Sequence, residues 1–181
     1  MKIKELVVNK RRCLLLFSLL FFLAAFMPSS FAFAQTATEM DAMLTANTIR
    51  VARAARFVLG AADLLPAGVA GADAESSTEA EGRGSPLEKA AYDMASSNGW
   101  INVSSDEAVT MKDAAFLIMK AFDLKGGVMY SLFGNPRYAY REMVYRKLIP
   151  GQTDQDMKVS GAKLLLILDK TLNYAGEGGR Q

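Results

Sequence analysis

The sequence predicts an all-α fold, and three observations lead to that class. Apolar residues recur every three or four positions through most long segments after residue 36, which is the spacing of one helix face. A Ser, Thr or Asn precedes several of these segments, where it would cap a helix. No segment predicts a strand. The length of 181 residues fits one domain with a tail, or two very small domains.

Residues 1–34 have the three parts of a cleaved secretory signal. The apolar run over residues 13–27 is about 15 residues, shorter than the roughly 20 that span a bilayer. Ala32 and Ala34 are the small residues expected before a cleavage site, which would leave Gln35 as the new N-terminus. We therefore expect export to the periplasm or cell envelope, with membrane contact only if this segment is kept as an anchor. Five basic residues precede the run: Lys2, Lys4, Lys10, Arg11 and Arg12.

Charge and two scarce residue types narrow the class of function. The predicted signal holds five of the 21 basic residues and one of the 19 acidic residues, which leaves 16 and 18. A slightly acidic remainder offers no broad basic face, so we expect no nucleic-acid partner. The chain has no His, and its single Cys, Cys13, lies in the signal. His, the commonest general base and metal ligand, is therefore missing, a Ser or Thr nucleophile would lack its histidine partner, and no thiol remains after the signal, so we expect no catalysis and no cofactor.

A calcium loop is the one metal site that the sequence suggests, through Asp154 and Asp156. The loop motif would need an oxygen ligand, a glycine and a glutamate further on, at positions that hold Lys158, Val159 and Leu165. The motif fails at all three positions, so we expect a solvated loop and no metal.

Residues 35–65 predict one helix that stands apart from the rest of the chain. Its apolar residues lie at helical spacing, as Val51 and Val58 do. A row of basic residues is usually a solvated helix edge, although it also suits contact with acidic lipid or an anionic polymer. On this helix the row consists of Arg50, Arg53 and Arg56.

The remainder of the chain predicts a linker, a domain and a tail. Residues 66–85 have only Val69 as a large apolar side chain, which predicts a flexible linker. Residues 86–175 predict a compact domain of four or five helices, and Glu88 is expected to bond back to the cap of the first one. Residues 176–181 predict a disordered tail. The signals for helix starts are Ser85-Pro86, Thr110, Asn135-Pro136 and Ser160.

The helices of this domain form two similar halves. In each half a helix is followed by an apolar pair, a polar loop, a Val-hydroxyl step and a second helix. One helix pair cannot cover its own apolar face, whereas stacked pairs can. Amphipathic helices also resemble one another by pattern alone. The matched positions are Trp100-Ile101 with Leu148-Ile149, and Val109-Thr110 with Val159-Ser160.

This layout resembles the S-layer homology module over about residues 87–174. The second half is most similar, with its helix and turn over residues 140–151, polar loop over 152–157 and second helix from 159. Thr110 and Ser160 keep the hydroxyl that opens the second helix of a module, but the family's polymer-contacting arginine is absent after both. The family tends to carry three modules, and the sequence shows two. The resemblance implies attachment of an exported protein to a cell-wall polymer.

The first candidate site is a cluster of aromatic and basic residues. Aromatic rings stack on sugar faces and guanidinium groups pair with anions, so such a cluster suits a polymer or an acidic envelope protein. The same pattern also fits core aromatics with a charged outer face, and Trp100 also fits a core position. The predicted binding residues are Arg137, Tyr138, Arg141, Tyr145, Arg146 and Trp100.

The second candidate site is the short apolar segment after the second helix of the domain. It would dock a partner protein, which includes another copy of the chain, and this would make the protein an adaptor or scaffold subunit. An incomplete set of modules leaves apolar surface, which either a folded-back N-terminal helix or a second chain must cover. The predicted docking residues are Val128, Met129, Tyr130, Leu132 and Phe133.

Overall fold

The computed structural model describes residues 32–65, 84–151 and 153–176, and within them the chain is helical. Most of the predicted signal, the predicted linker up to residue 83 and the tail from residue 177 lie outside the described residues. The described part holds no β-strand, and none of its helices is both long and apolar enough to cross a membrane. Its helices are α1 (Ala32–Thr45), α2 (Val51–Ala61), α3 (Pro86–Ser97), α4 (Met111–Ala121), α5 (Val128–Phe133), α6 (Pro136–Tyr145) and α7 (Gly161–Gly176).

The chain divides into two compact regions, Met1–Thr36 and Ala37–Gln181. The hydrophobic core belongs to the second region and runs from Met43 to Leu168. Residues from both sides of the predicted linker enter it, and the fully buried side chains include Val58 before the linker and Ile118 after it. The N-terminal segment therefore contributes to the same core as the predicted domain.

This arrangement corrects the prediction of one separate helix over residues 35–65. α1 ends at Thr45 and α2 begins at Val51. Between them Arg50 is extended, with φ −73° and ψ 151°, because Ile49 and Val51 bond to backbone carbonyls of later loops. The N-terminal segment thus packs on the predicted domain, as in one of the two alternatives that the sequence left open, although the apolar residues of the later segment Val128–Phe133 are not all covered. The buried residues of α2 are Val51, Ala52, Ala54, Ala55, Val58 and Leu59.

A ring of three backbone hydrogen bonds joins the segments that precede α2, α4 and α7. The amide of Ile49 donates to the carbonyl of Val159 (3.1 Å), Val159 donates to Val109 (3.0 Å), and Val109 donates to Ile49 (3.0 Å). All three residues are buried. Each therefore finds its donor and its acceptor partner within the ring, as buried backbone groups require. The ring relates three helix–loop–helix units: α1–α2, α3–α4 and α6–α7.

The three units pack in a cycle. α2 packs against α3, and α4 packs against α6. The start of α7 lies on the end of α1, where Gly161 donates to the Ala46 carbonyl (3.0 Å) and a Cβ on Gly161 would overlap the Met43 carbonyl. The second helix of each of the first two units thus packs on the first helix of the next unit, and α7 meets the end of α1 at Gly161. The sequence identified two of these units and missed the first.

Four predicted helix starts are confirmed by side-chain caps. The amide three residues later donates to Ser85 (3.3 Å), Asn135 (3.1 Å) and Ser160 (3.3 Å), and likewise to Thr110 (3.4 Å). Glu88 behaves differently from the prediction. Its carboxylate is buried against two arginines of the first unit and does not bond back to its own cap.

Candidate functional site

The candidate site is the outer surface of α5 and α6, which pack against each other. It has two parts. The apolar tip consists of the four exposed apolar residues of α5, and the arginine stripe consists of three exposed residues of α6. The apolar tip is Val128, Met129, Leu132 and Phe133, and the arginine stripe is Arg137, Arg141 and Tyr145.

A single residue attaches α5 to the core. Tyr130 is 8% exposed and meets the edge of Phe116 at 6.4 Å between ring centroids. The ammonium of Lys120 lies 5.8 Å from the centre of the Tyr130 ring. Gly126 lets the ring approach, since a Cβ there would overlap it. Tyr130 is therefore an anchor, which corrects its prediction as an exposed docking residue.

Burial also changes the acidity of this anchor. The hydroxyl of Tyr130 has no hydrogen-bond partner among the described residues. Burial, with a smaller contribution from the Asp123 carboxylate, raises the pKa of Tyr130 to about 12. Both causes disfavour the phenolate. Tyr130 thus stays neutral at ordinary pH and acts through packing.

The apolar tip points away from the core. Val128 is 82% exposed, Leu132 71%, Met129 58% and Phe133 55%. Val128 and Leu132 are four positions apart, as are Met129 and Phe133, so the four residues lie on one side of the helix. α5 ends at Gly134 in the left-handed region (φ 51°), and Phe133 stacks on Tyr138 of α6 at 5.3 Å. The stacking ties the tip to the start of the arginine stripe.

The arginine stripe follows from the spacing of α6. Its three residues lie four positions apart, and Ala139 and Met143 are fully buried on the other side of the helix. Tyr145 is 84% exposed. Among the described residues, the guanidinium groups of Arg137 and Arg141 have no ion-pair or hydrogen-bond partner. Both guanidinium groups are accessible to an anion.

Arg146 does not belong to this surface, which corrects the prediction. Its side chain is 15% exposed and pairs with Glu142 at 2.9 Å. It also donates to the Tyr174 hydroxyl (3.0 Å) on α7 and to the Lys125 carbonyl. Arg146 therefore ties the end of α6 to α7 and to the segment before α5. The sequence analysis missed Lys125, an exposed basic residue beside this junction.

Trp100 lies in a different environment from the arginine stripe. It is half-buried, packs against the core, and lines a small pocket with Asn102, Asp113 and Pro136. The pocket is mainly apolar and holds no unpaired cation among its lining residues. Its packing fits the core alternative that the sequence left open for Trp100.

The basic row predicted from Arg50 to Arg56 is occupied by ion pairs. Arg50 pairs with Glu88 (3.2 Å) and Asp106 (3.2 Å), and Arg53 pairs with Glu88 (3.0 Å). Arg56 pairs with Glu39 at 2.8 Å. Glu88 is only 3% exposed and so is a buried carboxylate that needs both arginines. The pairs with Glu88 and Asp106 hold the α1–α2 unit on the α3–α4 unit, whereas the Arg56–Glu39 pair lies within the α1–α2 unit.

The polar loops hold structural ion pairs. Lys112 meets Asp156 at 2.5 Å, which lowers the pKa of Asp156 and raises that of Lys112. Lys158 donates to the Ala108 carbonyl at 2.9 Å. Within the part of the chain that the structure describes, no three acidic or thiol side chains gather where they could hold a metal ion. These loops connect neighbouring units.

Comparisons with known proteins give no relative. No family model, no curated protein and no solved structure matches this chain. The candidate site is therefore defined by its own geometry: an exposed apolar helix beside two unpaired arginines, on a closed set of three helix–loop–helix units.

Proposed function

We propose that this chain is a non-catalytic, exported envelope protein that binds an anionic cell-wall or surface polymer through the arginine stripe. The observation that carries the proposal is the accessibility of Arg137 and Arg141, which have no acidic partner in the described residues and lie one turn apart. Guanidinium groups bind carboxylate or phosphate groups along such a polymer. Tyr145, one further turn along, offers a ring face to a sugar.

The number of units supports the resemblance behind this proposal. The S-layer homology family tends to carry three modules, and the ring of Ile49, Val109 and Val159 relates three helix–loop–helix units. The first unit has a short loop over residues 46–50 and Arg50 in place of a hydroxyl cap. The three-unit core gives the stripe a rigid support on α6.

Sedimentation with isolated wall material tests the proposal. Purified residues 35–181, which contain the whole compact region from Ala37 to Gln181, are mixed with the material and spun down. We expect the pair of changes Arg137→Ala and Arg141→Ala to weaken binding at least tenfold. The control, Lys89→Ala with Lys170→Ala, removes the same charge from α3 and α7 and should bind normally. Unchanged sedimentation of the stripe variant would show that the polymer does not bind there.

A second candidate function is that of a protein adaptor in an envelope complex, and the apolar tip favours it. Four exposed apolar side chains on one short helix are more than a monomer needs to leave in water. A pull-down from the native envelope, analysed for protein and for glycan, separates the two functions. An adaptor would lose a protein partner after Leu132→Ser and Phe133→Ser and would keep its glycan. The molar mass in solution tests whether that partner is a second copy.

A further inference from the structure

We propose that the apolar tip docks on the surface of a lipid bilayer with anionic headgroups. α5 would enter the interface between headgroups and acyl chains, and Arg137 and Arg141 would meet the headgroups. This inference shares Arg137 and Arg141 with the polymer proposal, but it rests on the apolar side chains of α5, which the polymer proposal does not use. It concerns the folded domain and does not depend on the predicted signal.

The shape of α5 favours a position at the surface of a bilayer. The helix has six residues and is therefore about 9 Å long. Glycines flank it at Gly127 and Gly134, and Tyr130 is its only buried residue. All four residues of the apolar tip are more than half exposed. An apolar face of this kind, presented at the surface with a polar flank, suits an interfacial position on a membrane.

The charge of the residues near the tip in sequence favours an anionic bilayer. Residues 123–147 carry five basic and two acidic residues, whereas the other described segments of the region, 37–65, 84–122 and 148–176, carry nine and eleven. Glu142 is taken by Arg146, which leaves Asp123 as the one acidic residue of that stretch without a described ion pair. The segments that precede and follow the tip in the chain are thus net basic, on a domain that is otherwise slightly acidic. This distribution complements an anionic bilayer.

The other occupants fit the tip less well. A soluble anionic polymer would pair with the arginines and leave the four apolar side chains in water. A stable protein interface buries about 800 Å² on each partner, which is large for a helix of one and a half turns. A bilayer surface needs no complementary pocket. Its acyl chains accept apolar side chains, and its anionic headgroups pair with the basic residues beside them. Tyr138, which stacks on Phe133, is of the residue type enriched at the membrane–water interface.

Flotation with lipid vesicles tests this proposal. Residues 35–181 are mixed with vesicles of phosphatidylcholine and phosphatidylglycerol in a ratio of about 3:1, or of phosphatidylcholine alone. We expect flotation with the anionic vesicles, weakened at least tenfold by Leu132→Ser with Phe133→Ser. The matched control is Leu166→Ser with Leu172→Ser, which changes two leucines of α7 that are 50% and 46% exposed. The control should float like the unchanged protein.

Three further measurements make the result decisive. Val128→Ser changes the most exposed residue of the tip and should weaken flotation without lowering the melting temperature, so a folding defect is separated from a binding defect. Arg137→Ala with Arg141→Ala should weaken flotation on anionic vesicles and reduce its dependence on salt. The same variants are assayed in parallel with wall material.

Several outcomes would overturn the bilayer proposal. They are the absence of flotation, flotation that survives all tip substitutions, and an equal loss in the α7 control. Loss of a protein partner by the tip variants, with vesicle binding intact, would assign the tip to a protein interface. If flotation fails while sedimentation with wall material still depends on the arginine stripe, the bilayer proposal is wrong and the polymer proposal stands. If flotation depends on the apolar tip while sedimentation does not depend on the stripe, the polymer proposal is wrong and the bilayer proposal stands.

Discussion

Ile49 donates its amide hydrogen to the carbonyl of Val159 at 3.1 Å, although 109 residues of the sequence lie between them. Val109 completes the ring by bonding to both residues. Each of the three residues lies two positions before the first residue of a long helix, which is α2, α4 or α7. The backbone thus meets at one buried point from three parts of the sequence, and the three helices start there. Loss of any one unit would leave buried amides and carbonyls without partners.

Glu88 should be the most sensitive charged residue of the fold. Its buried carboxylate accepts from both Arg50 and Arg53, so Glu88→Gln removes the charge while keeping the size. Because the two arginines are about one-third exposed (32% and 36%), water replaces part of the lost interaction. We expect a loss of about 2 kcal/mol in the free energy of unfolding, measured by urea denaturation. The exposed pair of Lys89 and Asp93 is the control, and Asp93→Asn should leave the free energy of unfolding nearly unchanged. Equal effects of the two substitutions would mean that the Glu88 pairs are not structural.

Gly161 should tolerate no side chain. A Cβ at this position would overlap the backbone carbonyl of Met43, which cannot move without displacing α1 from α7. We expect Gly161→Ala to cost at least about 2 kcal/mol of unfolding free energy. Gly60→Ala is the matched control within α2, where the new Cβ would meet only Leu65 at an ordinary 3.6 Å. This control should stabilise the protein by about 0.5–1 kcal/mol, and a Gly161→Ala protein as stable as the control would contradict the close contact.

Tyr130 should make the fold sensitive to alkali. Its pKa is about 12 in the folded chain and near 10 when exposed, so the unfolded state loses the proton first. Stability therefore does not depend on this titration below pH 10, and it falls as pH rises towards 12, by about 1.4 kcal/mol for each pH unit. Tyr130→Phe lacks the titrating group and should lose stability less steeply over that range. The measurement is urea denaturation between pH 9 and pH 12 for both proteins.

The same substitution has a second expected effect at neutral pH. The Tyr130 hydroxyl is buried without a described hydrogen-bond partner, so removing it leaves no other group unpaired. Tyr130→Phe should therefore be as stable as the unchanged protein, or slightly more stable. If both proteins lose stability equally steeply above pH 10, Tyr130 does not cause the alkaline loss.

Local signals in the sequence were enough for most helices and their caps. Ser85, Thr110, Asn135 and Ser160 each stand directly before a helix and accept from the amide three residues on, a relation within four residues of sequence. The spacing of Arg137 and Arg141 likewise predicts that they lie one turn apart, and both are exposed on α6. Local patterns succeed where the partner is close in sequence.

The features that the sequence did not predict depend on distant partners. The first unit has Arg50 where the other two have Thr or Ser, so its helix start did not resemble theirs. Arg50 forgoes a cap bond and pairs with Glu88 and Asp106, both of which follow the predicted linker. Arg146 and Tyr130 were both taken for surface residues, because their contacts on α7 and α4 are set by the tertiary fold.

The central claim is that the N-terminal helices complete a three-unit core, and separate fragments test it most directly. Residues 84–181 alone lack the α1–α2 unit and should expose apolar surface, bind an apolar fluorescent dye and lack a cooperative thermal transition. Adding residues 35–65 as a separate peptide should abolish the dye binding and restore a cooperative transition, since α2 would refill the core. A monomeric, cooperatively folding fragment 84–181 that binds no dye would contradict the claim.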